Sequence, residues 1–257
     1  MKRTFGWLLV LVLAIALTVL VCLPASWLGT IVERQTAGRL TLGDAQGTLW
    51  NGSAFVGGAA GEGGAVTPLL PGRFAWELSP LVLFGRVNMH LENPQALPTP
   101  VQLTGSWSQW QVSAGQLLLP AEGLAGLGAP LNTLAPSGVI RLSWNRLDLA
   151  RQPNSVAVTG RTILSMTDMG SRMSPIRPLG SYEMAMDWRG AEADLVLRTV
   201  RGALLLSGNG TLQNGRLRFS GQASAAEGYE ETLGNMLNLL GQRRMVNGKN
   251  IIALEFR

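Results

Sequence analysis

The sequence predicts a mainly β protein in which an N-terminal transmembrane helix is followed by an antiparallel, curved β-sheet with one helix near the C-terminus. Three observations carry that prediction. Apolar and polar residues alternate strictly in several windows, the pattern of strands buried on one face. Glycine and proline, 32 and 13 among 257 residues, punctuate the chain too often for helices. The segments between them suit short strands spaced at roughly 8 to 12 residues, as in a sandwich, a barrel or a long curved sheet. Helical texture is confined to an apolar run from Trp7 to Leu23 and to the segment from Glu230 to Arg244.

The apolar run follows Met1, Lys2 and Arg3 and is interrupted only by Thr18. As a helix rising about 1.5 Å per residue it reaches about 25 Å, the short end of a membrane span. A cleaved signal peptide is the alternative, since Ala25 offers a small residue for the cut. Leu23 argues against it, standing where cleavage normally wants a small side chain, and the run exceeds the usual signal core of about 7 to 15 residues. An uncleaved anchor is the better reading. Lys2 and Arg3 then hold the N-terminus in the cytoplasm, with Trp7 and Trp27 flanking the bilayer as interfacial aromatics. The expected organisation is a cytoplasmic segment over 1–6, a transmembrane anchor over 7–23 and an exported β-rich domain over 24–257. Cys22, the only cysteine, lies inside the apolar run, so no disulfide is available and the fold relies on its core. Val21 spoils a lipid-attachment motif at Cys22, which reads as a buried apolar side chain.

Gly47-Thr-Leu-Trp-Asn-Gly52 opens the exported part, and Asn51-Gly52 between apolar runs predicts a two-residue type I′ hairpin turn. The order Gly-Thr-Leu-x-Asn-Gly returns at Gly210 to Gly215, which suggests one recurring hairpin design, although two copies make no solenoid. Strands follow from Phe74, Trp76 and Leu78; from Val87, Met89 and Leu91; from Ile140, Leu142 and Trp144; and from Tyr182, Met184, Met186 and Trp188. After Asn145-Arg146 the apolar phase flips to Leu147 and Leu149, which predicts a bulge or turn. Gly57 to Gly64 reads as a flexible loop, Leu97 to Pro100 as a turn, and Leu119 to Pro136 as an irregular excursion or short helix. Leu233, Met236, Leu237 and Leu240 share one face of the predicted helix from Glu230 to Arg244, with acids at its start, Arg243 and Arg244 at its end, and Asn247-Gly248 as its stop. Ile251 to Arg257 returns as a terminal strand. A sheet built of such strands must curl or be covered to hide its apolar side.

Chemistry is sought and not found. His90, the lone histidine, falls in the polar phase of its strand, where an exposed side chain is the ordinary reading. One histidine and one cysteine in the apolar run leave no zinc set, and the acids lack calcium-loop spacing. Lys2 and Lys249 are the only lysines, so there is no phosphate loop, and the glycines of 57–64 do not sit between a strand and a helix. Glu183 and Asp187 share a strand face but read as solvated carboxylates. No catalytic, cofactor-binding or metal residue is predicted, and no cofactor. The net charge of +5 is spread as single arginines, with Arg216/Arg218 and Arg243-Arg244 the densest pairs, which argues against nucleic acid. Asn51-Gly-Ser53 and Asn209-Gly-Thr211 match glycosylation sequons but read as turns. Trp50, Trp76, Trp107, Trp110, Trp144 and Trp188 read mainly as packing residues.

From residue 1 to about 92 the chain resembles type II secretion system protein N, an inner-membrane component of the general secretory pathway. The basic cap, the anchor ending near Pro24, Ala37-Gly-Arg-Leu-Thr-Leu-Gly43, Gly47 to Gly52, Trp76-Glu-Leu-Ser-Pro80 and Leu81 to Arg86 carry the likeness; the 57–64 insert departs from it. The resemblance implies a single-pass inner-membrane protein, most of it in the periplasm, that serves as an accessory part of the secretion machinery. Its partners would be other secretion subunits, and it would have no catalytic role. The family is also similar in texture to AsmA-like envelope proteins, which makes a periplasmic lipid-binding or lipid-transfer module the alternative.

Overall fold

A computed structural model describes residues 2–59, 66–127, 131–153, 155–213, 216–240, 242–246 and 249–256. Two helices open the chain, α1 (Lys2–Val21) and α2 (Ser26–Gln35). The first strands are β1 (Leu40–Gly47), β2 (Asn51–Gly58), β3 (Thr67–Leu78), β4 (Arg86–Asn93), β5 (Leu97–Ser106), β6 (Gln109–Val112) and β7 (Gly115–Pro120). A short helix α3 (Leu131–Leu134) precedes β8 (Pro136–Trp144), β9 (Leu147–Arg151), β10 (Val156–Ser171), β11 (Gly180–Gly190), β12 (Glu192–Gly202), β13 (Leu204–Gln213) and β14 (Arg216–Ala225). The chain closes with α4 (Glu230–Leu240), β15 (Gln242–Val246) and β16 (Lys249–Phe256).

The sixteen strands among the described residues join one antiparallel sheet, laid down almost in chain order from β1 at one edge to β15 at the other. The sheet is open and curved. β6 and β7 run end to end beside β9 and β8, in unbroken register from Val112↔Leu147 to Gly115↔Trp144. The predicted phase flip is a bulge: β8 and β9 lie along the same strand β10, yet pair as Trp144↔Thr162 and Asp148↔Thr159, so one extra residue is accommodated at Asn145-Arg146.

Strand alternation builds the core. Phe74 of β3 packs with Leu117 of β7 and Trp144 of β8, several rows away, so the sheet folds over its apolar face. Helices close that face at both ends. Ala25 and Leu28, at the start of α2, meet Ala54 and Trp76. Leu233, Met236 and Leu237 of α4 meet Leu204, Ala223 and Ile252. Close approach dictates two glycine positions. A Cβ on Gly52 would lie 2.7 Å from the Trp76 ring and 2.6 Å from the Thr48 carbonyl oxygen, and one on Gly221 would lie 2.7 Å from the Phe219 ring. The ring occupies the space a side chain would need.

Several expectations are corrected. The first hairpin exists, but Gly47 pairs with Gly52, so the turn is centred on Leu49 and Trp50, and Asn51-Gly52 begins β2. The turn moves because Leu49 and Trp50 are held by the end of α1: the Leu49 N–H donates to the Leu23 carbonyl at 2.7 Å and the Trp50 indole to the Leu20 carbonyl at 2.8 Å. Asn209-Gly210 lies inside β13, so the second copy of the hexapeptide is mostly strand. Residues 214 and 215 and residues 247 and 248 are outside the described residues, as are 60–64 of the expected glycine loop; Gly57 and Gly58 belong to β2. Leu97 to Pro100 begins β5 rather than a turn. Leu97 pairs with Asn93 and Val101 with Leu91, so Pro98 and Pro100 sit in a register shift that asks no ladder bond of them. Residues 119–136 contain the end of β7, a 3-10 helix over Ala121–Leu127 and α3. The C-terminal helix stops at Leu240, and Arg243 and Arg244 belong to β15. α2 is an unpredicted helix, marked by half-buried Leu28, Gly29, Val32 and Thr36 at helical spacing.

Candidate functional site

The inner face is apolar without a break across the strand rows. Leu42 pairs with Val56, Ala54 with Phe74, Trp76 with Leu91, Leu91 with Val101, Leu103 with Val112 and Val112 with Leu147, which sets these side chains on one face. It continues through Leu142, Leu164, Met184, Leu197 and Gly208 to Gly221 and Leu254. Between the two helical caps Leu164, Met184, Met186, Trp188 and Leu197 are half-buried. The result is a long trough whose floor is apolar and partly open to solvent. Its buried polar groups are spoken for: the Tyr182 hydroxyl donates to the Leu204 carbonyl at 3.0 Å, and the Trp188 indole to Thr162 at 3.0 Å. Burial pushes the Tyr182 phenol above its ordinary range.

The outer face carries exposed cross-strand ion pairs alongside exposed valines such as Val139, Val196 and Val200. Arg198 binds Glu183 at 2.7 Å, Arg161 lies 3.6 Å from Asp187, and Arg201 binds Asp168 at 2.8 Å. Glu183 and Asp187 thus each face an arginine, and the structure does not bring the two together as an acid–base pair. His90 sits across from Glu77 and is 2.8 Å from Glu92, partly exposed. Among the described residues no group of three or more histidines, cysteines or acids is arranged to hold a metal. A depression of about 870 Å³ on this face mixes polar groups of Asp194, Asn209, Thr211, Arg218 and Glu255 with apolar surface from Leu195, Val196 and Phe219.

Apart from Ala37 to Gly43, which lead into and start β1 at the opposite end of the sheet, the residues of the N-terminal resemblance converge on one place. Strand connections fall alternately at two ends of the sheet, and the end of α1 meets the one holding the Leu49-Trp50 turn. There the Trp76 indole donates to the Leu49 carbonyl at 3.1 Å and the Leu78 N–H to the Trp50 carbonyl at 2.6 Å. Ser79 caps a 3-10 helix, Pro80–Phe84, which Gly85 closes at a φ of 85°. This anchor junction gives Trp50, Trp76, Ser79, Pro80 and Gly85 physical roles in one small region. Trp76 is buried, whereas Trp107, read as packing, is 57% exposed with its indole donating to the Val82 carbonyl.

Residues 38–250 match the family model of type II secretion system protein N. The chain belongs to that family. It is a component of type II secretion, in a family of accessory components not known as enzymes, and family membership implies other secretion components as partners. The match extends well past the residues that carry the N-terminal likeness and covers the sheet from β1 into β16. No curated protein and no solved structure matches the chain. Among the described residues, which leave out the side chains of 1–6, 8 and 9, no helix is long and apolar enough to cross a membrane; the expected span over 7–23 falls partly outside them.

Proposed function

We propose that this member of the family is a single-pass inner-membrane protein whose periplasmic sheet docks other subunits of the secretion machinery. In this reading residues 1–6 are cytoplasmic, 7–23 anchor the chain and 24–257 form the periplasmic body. The observation that carries the docking role is the family match on an open sheet, where β15 is an edge strand with no further strand beyond it among the described residues, whereas the β1 edge is partly taken by Pro24, Ala25 and Thr36. Such edges offer backbone donors and acceptors to an added strand. Support for the anchor comes from the apolar run itself and from Val10, Leu11, Val12, Leu13, Ile15, Leu17 and Val19, each more than half exposed around α1. A helix apolar on all sides has no face suited to water. No catalytic role is assigned. Deletion of the gene should trap type II substrates in the periplasm and leave the machinery incompletely assembled, with both restored by the intact chain. Unchanged secretion and assembly after deletion would refute the docking role.

A second reading is favoured by the unbroken apolar trough: the inner face holds lipid acyl chains. Solvent extraction of the purified full chain, with mass analysis of what is released, should then yield lipid in stoichiometric amount. Recovery at the level of an unrelated single-pass protein would remove this reading.

A further inference from the structure

At the anchor end, the connection between β3 and β4 and the turn between β5 and β6 leave their largest side chains bare. Leu81 is 50% exposed, Leu83 42%, Phe84 82% and Trp107 57%. These residues do not lie on a loosely tethered loop. Ser79 accepts from the Leu81 N–H, Gly85 closes the 3-10 helix, the Ser79 N–H donates to the Asn88 carbonyl at 2.9 Å, and the Trp107 indole is bonded to the Val82 carbonyl. A rigid cluster that presents four apolar side chains to water has a cost with no return inside the molecule, and a surface of this kind marks an interaction site.

The position of the cluster identifies the partner. α1 reaches the sheet at this same end, where Leu49 and Trp50 bond to the carbonyls of Leu23 and Leu20 and Pro24 bridges to Thr48. The Leu49-Trp50 turn and the 3-10 helix are connections at the two sides of β2 and β3, joined directly by the Leu78-to-Trp50 bond. Two adjacent strand rows separate them, roughly 10 Å at about 4.8 Å per row. A helix that enters a bilayer at the turn therefore brings the cluster to the bilayer surface. Exposed Arg86 and Arg151, at the same end of the sheet, suit lipid phosphates at that level.

We infer that Leu81, Leu83, Phe84 and Trp107 form a second membrane contact that inserts into the interfacial region of the periplasmic leaflet and fixes the tilt of the sheet on the membrane. Like an amphipathic interfacial element, the cluster would enter only about 5–10 Å into the headgroup and acyl boundary. This inference rests on the reading of α1 as an anchor. It goes beyond that reading, since a single helix alone would leave the sheet free to swing.

The test uses the full chain with Cys22→Ser, reconstituted in vesicles of phosphatidylethanolamine and phosphatidylglycerol. Single cysteines are introduced by Phe84→Cys, Trp107→Cys, Leu13→Cys and Val200→Cys and labelled with an environment-sensitive fluorophore. Val200, 61% exposed near the far end of β12, is the water-facing control, and Leu13 reports the anchor. Lipids spin-labelled near the headgroup should quench the Phe84 and Trp107 probes several-fold more than the Val200 probe, and mid-chain labels should quench the Leu13 probe most. Quenching of Leu13 together with Phe84 and Trp107 indistinguishable from Val200 would overturn the second contact and leave the anchor standing. Absence of quenching at Leu13 would overturn both.

Discussion

Truncation of Trp76 tests whether the anchor junction is a packed structural unit. Trp76 is 4% exposed, lies over Gly52, packs with Ala54, Met89 and Leu91, and donates its indole N–H to the Leu49 carbonyl. A tryptophan buries about 200 Å². At about 25 cal/mol per Å² that corresponds to about 5 kcal/mol, or about 3–4 kcal/mol once a partly collapsed unfolded chain is taken as reference. Trp76→Ala should therefore cost about 3–4 kcal/mol. Trp76→Phe keeps most of the packing and gives up the hydrogen bond, for a loss of about 1 kcal/mol from that bond. The assay is urea unfolding of the full chain in mild detergent, combined with amide exchange at Leu78, whose N–H bonds to Trp50. Exchange at Leu78 should accelerate in Trp76→Ala and not in Val200→Ala, a change at an exposed site. A Trp76→Ala protein within about 1 kcal/mol of the parent, with Leu78 protection intact, would refute the packing argument.

Other perturbations report on different parts of the molecule. Leu233→Ala empties a fully buried position on the inner face of α4 and should cost about 2–5 kcal/mol in the same unfolding assay; a loss below about 1 kcal/mol would mean that α4 does not cap the trough. Gly221→Ala places a Cβ within 2.7 Å of the Phe219 ring and 2.6 Å of the Ser207 carbonyl oxygen, so it should destabilise by about 1–3 kcal/mol, and Phe219→Ala in the double variant should not restore the parent stability because the carbonyl contact remains. Arg161→Ala removes an exposed ion pair to Asp187 and should change stability by less than about 1 kcal/mol. Tyr182 retains its proton in the folded chain after an unfolded phenol has lost it. The unfolded chain then binds fewer protons above its ordinary pKa of about 10, so stability present below that pH falls as pH rises further, and unfolding measured against pH should show a shallower fall in Tyr182→Phe.

Much of the sheet was legible because one face of each strand is buried, which writes a period of two directly into residues such as Phe74, Trp76 and Leu78. The bulge at Asn145-Arg146 was legible for the same reason, since an inserted residue must flip the apolar phase. Signals that depend on long-range context failed. Asn51-Gly52 carries the chemistry of a tight turn, but bonds from Leu49 and Trp50 to the end of α1 draw the turn two residues earlier. Pro98 and Pro100 looked incompatible with a strand, and only the register shift opposite Glu92 makes room for them. Arg243 and Arg244 continue a helical charge pattern, yet β15 pairs with β16 and takes them into the sheet. α2 escaped notice because it buries only a narrow stripe of small and medium side chains. For the trough and the apolar rim the residue types were visible, but their convergence depends on strand register and on which connections share an end.

The docking role is tested most directly by site-specific photo-crosslinking in intact cells, with a photoreactive residue placed at Arg244 in edge strand β15 or at Arg161 on the outer face of the central strand β10. A subunit of the type II secretion machinery should be captured from the β15 edge and not from β10. Capture equal at both positions, or no secretion subunit captured from β15 while substrates are being secreted, would contradict it.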